Sequence, residues 1–147
     1  MEQHLSGTET DSQFSLFENR APGSSRTPIH EHAHDDETFF MIEGAMTALV
    51  DGERFTLRPG ESIFLPRRIP HQLLNETAEP ARYLLLCTPS GFEGFLAAGG
   101  SVLPPGTEPR PVSREDIERM RSAAPDFGIT ILQDWPLDTT QSAIGPE

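Results

Sequence analysis

Cysteine is nearly absent from this chain: Cys87 is the single one in 147 residues. That excludes an internal disulfide and fits a reducing cytoplasm. Basic side chains are scarce too, 11 against 23 acidic ones, for a formal net charge of -12. So negative a surface repels phosphate backbones, which excludes nucleic-acid binding as a main role and reads as a solubility property. No apolar run approaches the roughly 20 residues needed to cross a bilayer, so no membrane partner is expected. The opening "MEQHLSGTETDS" lacks the basic cluster and apolar core of a signal peptide. Internal repeats and coiled-coil heptads are also missing. The length suffices for one domain with a real core and not for two.

Proline and glycine are plentiful, 14 and 12, and they divide the chain into short runs rich in Phe, Ile, Leu, Val and Thr. Such runs predict strands over 14–20, 26–32, 37–44, 45–52, 53–60, 61–67, 69–75 and 81–89. "VDGE" at 50–53 predicts a type I′ hairpin turn, and "RPGE" at 58–61 a second turn. Many short strands with tight turns give an all-β sandwich or barrel. After residue 90 two short helices are expected, "GFEGFLAAGG" and "SREDIERMRSAA", the second with Ser113 as N-cap and acids in its first turn. "FGITIL" offers a last strand. Residues 1–12 are expected as a flexible N-terminal tail, 13–132 as the domain with its C-terminal helical segment, and 133–147 as a C-terminal tail.

The densest chemistry lies in "HEHAHDDE", residues 30–37, with three histidines and four acids. Side chains two apart on a strand share a face, so His30 and His32 stand together, roughly 6.5 Å apart along the chain. Glu37 follows across a short turn and can re-enter from a neighbouring strand, and "RIPHQLLN" supplies His71 at another strand start. An isolated H-x-H is as readily a solvated pair on a sheet edge. The joint arrangement favours a divalent transition-metal site, because buried histidines without a partner are costly. His34, in the polar turn "AHDDE", is expected to be exposed. Asp35 and Asp36 are expected to be solvated, or to tune the site electrostatically.

"GSSRTPIHEHAHDDETFFMIEG" and "GESIFLPRRIPHQLLN" resemble the two motifs of the cupin superfamily. The residues that carry the resemblance are Gly23, His30, His32, Glu37 and Gly44, then Gly60, Pro66, His71 and Asn75, with 15 residues between Gly44 and Gly60. The chain looks like a small bacterial single-domain cupin similar to quercetin 2,3-dioxygenase. That resemblance implies a jelly-roll β-barrel with short C-terminal helices, commonly a homodimer. It also implies one divalent transition metal, Fe, Mn, Ni, Co or Zn, held by His30, His32, Glu37 and His71. The activity it implies is a metal-dependent dioxygenase on a small aromatic or enolic compound, flavonoid or polyketide-like, with Glu37 as ligand or base. A non-oxidative cyclase, dehydratase or isomerase of natural-product metabolism, or a non-catalytic binding cupin, is the alternative, since this fold hosts many chemistries.

Inward strand parity marks Phe39, Met41, Met46, Ile63, Leu65, Leu73, Tyr83 and Cys87 as barrel lining, either plain core or the wall of a substrate pocket. Phe92 and Phe95 are expected to cap the barrel mouth or pack beneath it. Cys87 has no basic partner in its neighbourhood and is not expected to act as a nucleophile. One position departs from the family pattern: Arg68 stands where glycine is usual. It implies either a different turn or a strained residue. Arg67 and Arg68 read as a solvated basic pair, with substrate-carboxylate binding as the alternative.

Overall fold

Strand β9 (Ala81–Thr88) shows how the sequence drives the fold, since burial alternates at every residue along it. Ala81, Tyr83, Leu85 and Cys87 turn inward, and the intervening side chains face out. The computed structural model describes residues 1–107, 110 and 112–132; the C-terminal tail expected over 133–147 lies outside the described residues. Around β9 are β1 (Glu2–Leu5), β2 (Ser15–Ala21), β4 (Asp36–Glu43) and β7 (Ser62–Leu65), in the order β1-β2-β9-β4-β7. The facing sheet runs β10 (Ile129–Ile131), β3 (His30–His32), β8 (His71–Leu74), β5 (Met46–Val50), β6 (Glu53–Leu57). All pairings are antiparallel, and the chain passes repeatedly from one sheet to the other, as in a jelly roll.

The inner faces meet in one core that includes Phe17, Met41, Leu65 and Leu85, each buried almost completely. Removing each such side chain from water contributes roughly 1.5–3 kcal/mol. The expected hairpin is present: Val50 pairs with Glu53 across Asp51 and Gly52, whose φ of 49° and 79° suit a type I′ turn. In the second turn, the amide of Glu61 donates to the Arg58 carbonyl at 3.0 Å.

Gly44 joins β4 to β5 with φ 76°, and a Cβ there would lie 2.8 Å from the Pro80 carbonyl oxygen. Only glycine fits both the angle and the approach.

Helix α1 (Phe92–Gly99) and helix α2 (Arg114–Ala123) follow the barrel, with a 3₁₀ turn at Ala124–Phe127 leading into β10. Ser113 caps α2 through a reciprocal pair with Asp116, as the sequence suggests. Among the described residues no helix is long and apolar enough to cross a membrane.

Two expectations need correction. Residues 1–12 are not a plain tail, because Glu2–Leu5 form β1 and complete the edge of β2. The run 26–32 is a strand only from His30: Pro28 lacks an amide hydrogen, and ahead of it a single bridge, Arg26 to Leu74, remains.

Candidate metal centre

The site spans the barrel interior. Strand β3 presents His30 and His32, and antiparallel pairing sets His71 of β8 directly opposite His30, with ring centroids 4.4 Å apart. Glu37 arrives from the other sheet, on β4, where it is paired with Leu65 and Cys87. One donor atom from each of His30, His32, Glu37 and His71 lies within 4.8 Å of all the others. His32, Glu37 and His71 are buried, and His30 is half-buried. A single ion with ligands near 2.1 Å can draw such a set together through small rotations.

Backbone acceptors fix the histidine tautomers. Nδ1 of His30 lies 2.8 Å from the Pro28 carbonyl oxygen, and Nδ1 of His71 lies 3.2 Å from that of Ile69. A carbonyl only accepts, so both Nδ1 atoms carry hydrogen and both Nε2 atoms are left with a lone pair. Nδ1 of His32 lies 3.0 Å from Oδ2 of Asp35, an ion-pair contact without the alignment of a hydrogen bond. Nε2 of His71 stands 3.0 Å from Oε2 of Glu37, and Nε2 of His32 stands 3.7 Å from Oε1. Neither nitrogen makes a well-formed hydrogen bond among the described residues. Lone pairs facing a carboxylate in a buried site repel unless a proton or a cation lies between them. The donor set therefore fits a divalent transition metal.

The electrostatics agree. Burial, reinforced by His71, pushes His30 down to about 4, so this imidazole is neutral near pH 7. Burial opposes a charge on Glu37, yet His32 and His71 outweigh it and hold the carboxyl down to about 2. Burial likewise disfavours protonated His32, but Glu37 and then Asp35 draw its pKa upward.

Around this centre the expected residues fall as follows. Phe39, Met41, Met46, Leu65, Leu73, Tyr83 and Cys87 are all buried in the main core, and Ile63 packs against it half-buried. Burial raises the Cys87 thiol far above its usual range, which leaves it unreactive. Phe92, at the start of α1, packs on both His32 and Phe17, with ring centroids at 5.7 and 5.8 Å, so it closes the barrel over the site. His34 is exposed, as expected.

Of the two acids, Asp36 takes up a two-point pairing with the Arg67 guanidinium at 3.1 and 2.9 Å, and Asp35 is buried against His32 rather than solvated. Arg68 adopts a strained left-handed conformation, φ 64°, held by the hydrogen bond from its amide to the His32 carbonyl at 2.7 Å. The carbonyls of Pro28 and Ile69 could not be singled out from side-chain chemistry. Their signal was positional, each lying two residues before a histidine in "PIH" and "IPH".

A double-stranded antiparallel roll with three imidazoles and one carboxylate turned inward defines a class of small barrel proteins with a centre suited to metal. Residues 16–87, just under half of the chain, match the family model of the cupin domain, and the fold of this stretch is that of the cupin superfamily. It is 36% identical over 91 residues to quercetin 2,3-dioxygenase from Bacillus subtilis, which covers 62% of this chain and 27% of that protein. It is 35% identical over 69 residues to the tetracenomycin polyketide synthase protein TcmJ from Streptomyces glaucescens, covering 47% and 46%. Among solved structures, a sugar phosphate isomerase of the cupin superfamily from Silicibacter pomeroyi is similar at TM-score 0.50 and 28% identity, covering 56% of this chain and 55% of that one. The chain covers less than two thirds of the length of each curated relative it matches.

Proposed function

We propose that this chain is a metal-dependent enzyme acting as a dioxygenase on a small aromatic or enolic compound, flavonoid or polyketide-like. The observation that carries the reading is the convergence of one ligand atom each from His30, His32, Glu37 and His71 within 4.8 Å of one another, with His71 Nε2 and Glu37 Oε2 3.0 Å apart. In it, His30, His32, Glu37 and His71 hold one divalent ion, Fe, Mn, Ni, Co or Zn. Such an ion, when bound, polarises substrate oxygen atoms and, as Fe(II) or Mn(II), supplies the redox chemistry that oxygenation requires.

The chain's own residues do the rest. Glu37, ionised at neutral pH, accepts a hydroxyl proton from the substrate. Phe39, Met41, Met46, Ile63, Leu65, Leu73, Tyr83 and Cys87 give the barrel an apolar wall that excludes water and receives a flat ring. The likeness to quercetin 2,3-dioxygenase supports oxygenation. A second reading, cyclisation, dehydration or isomerisation at the same centre, is favoured by the likeness to a polyketide synthase protein. The setting in this reading is cytoplasmic and the working form a homodimer.

Elemental analysis should find about one transition metal per chain, and His30→Ala, His32→Ala or His71→Ala should abolish it. Metal should also raise the melting temperature, because the folded site binds it better than the unfolded chain does. Protein that stays empty after reconstitution with Fe(II), Mn(II), Ni(II) and Zn(II) overturns the metal reading. With quercetin as probe, oxygen uptake with product supports the dioxygenase. Product without uptake selects the second reading, and binding without product selects a non-catalytic cupin.

A further inference from the structure

Arg68 sits in a backbone conformation that glycine adopts freely and a full side chain adopts only at a cost, with φ 64°. The other non-glycine residues with positive φ are Asp11, Ser12, Ser24 and Asp51, short polar side chains suited to turns. Arg68 is the long one among the described residues. Its loop is also well fixed. The Arg68 amide donates to the carbonyl of His32 at 2.7 Å, and the Arg67 amide donates to Oδ1 of Asp36 at 2.8 Å. Residues 66–70 are thus pinned to the start of β4 and to the ligand-bearing strand β3, and they run straight into His71. Arg68 stands one hydrogen bond from one histidine of the centre and three positions from another.

The side chain is unused by the fold. It is exposed and makes no hydrogen bond or ion pair with any described residue, although acidic side chains outnumber basic ones 23 to 11. Arg54, Arg67, Arg82 and Arg119 each lie against a carboxylate, whereas Arg20 and Arg58, like Arg68, show no such pair among the described residues. Arg68 differs from them in its turn, which is bonded to the strand of His32.

We propose that Arg68 is a specificity-determining residue that binds a carboxylate carried by the substrate, at the rim of the centre formed by His30, His32, Glu37 and His71. The inference rests on the metal-centre reading above. An anionic substrate approaching a chain of net charge -12 is repelled, and here it meets the buried carboxylates of Asp35 and Glu37 as well, Asp36 being paired with Arg67. A guanidinium with all its donors free answers that repulsion locally and grips a carboxylate at two points. Backbone strain that glycine would relieve is retained where a side chain serves binding rather than stability.

The test compares two probes that differ by one carboxylate, 3,4-dihydroxybenzoate and catechol, titrated calorimetrically into Zn(II)-loaded protein. The native chain should bind the first at least tenfold more tightly. Arg68→Gly should bind the two equally while its metal-free melting temperature rises by about 3 °C, since strain is relieved. Arg68→Ala should lose the preference without that rise, and Arg68→Lys should keep part of the preference. A preference that survives in Arg68→Gly, or a native chain that takes up neither probe or both equally, overturns the proposal. Zinc content of the same samples separates the two readings. No bound zinc sinks the metal centre, and one zinc per chain without the preference sinks the role of Arg68.

Discussion

Asp35 shows how much of a metal centre is set by atoms that never touch the ion. Its carboxylate holds His32 at Nδ1, 3.0 Å away, inside a site where both side chains are buried. A carboxylate so close steadies the ring and makes Nε2 a better donor. Asp35→Ala should therefore lower metal affinity by about 10–100-fold in competition with a chelator, the usual scale for such partners. Unchanged affinity would mean that packing against Phe92 alone orients His32. Glu37 poses a different question, ligand or base. If it only holds the ion, Glu37→Gln should recover activity at saturating metal. If it also takes the proton, the fully metallated variant should remain on the order of 100-fold slower, because an amide cannot accept it. The second outcome is expected, since three imidazoles remain to retain the ion. Tyr83 is a poor substitute: burial pushes it up to about 12, and its oxygen already accepts from the Asn19 amide at 2.6 Å.

At the scale of elements, Gly44 ends β4 at the point where the chain leaves the sheet bearing Glu37. Gly44→Ala would force a side chain into a left-handed turn and against the Pro80 carbonyl oxygen at 2.8 Å. A loss of about 1–3 kcal/mol in urea unfolding is expected, and a neutral variant would show that the turn can relax. Regular elements such as β9 were legible because their burial period equals the strand period of two. The helix at Ser113 was legible because capping is local chemistry. Residues 2–5 were not, since "EQHL" has no pattern of its own and becomes a strand only by pairing with β2. The four inward donors followed from parity and the two motifs together. The burial of Asp35 did not, for it depends on how the turn between β3 and β4 folds back on His32, and no spacing rule encodes that. The left-handed Arg68 was half legible: the sequence placed an arginine in a glycine position, and only the backbone angle decided between strain and a different turn.

At the scale of the molecule, the centre draws three donors from one sheet and one from the other, so a bound ion would tie the two halves of the roll together. The opposite margin is open. Among the described residues β6 and β7 are outermost strands of their sheets, and a groove between them is lined by Phe55, Leu57, Ile63 and Phe64 together with the polar Arg54 and Glu61. Within the groove Phe64 is 55% and Phe55 38% exposed, and Phe40 beside it is 44% exposed. Large aromatic groups clustered on an unpaired edge invite association. A second copy meeting this margin would cover them and pair the edges, given about 800 Å² from each partner. Light scattering at micromolar concentration should then give about twice the monomer mass of 16.2 kDa. Phe64→Glu should reduce it to the monomer without loss of metal, because Phe64 faces away from the site. A native chain that scatters as a monomer rejects the dimer outright. A Phe64→Glu protein that stays dimeric moves the contact elsewhere, to the outer face of β2 and β9 around Leu84.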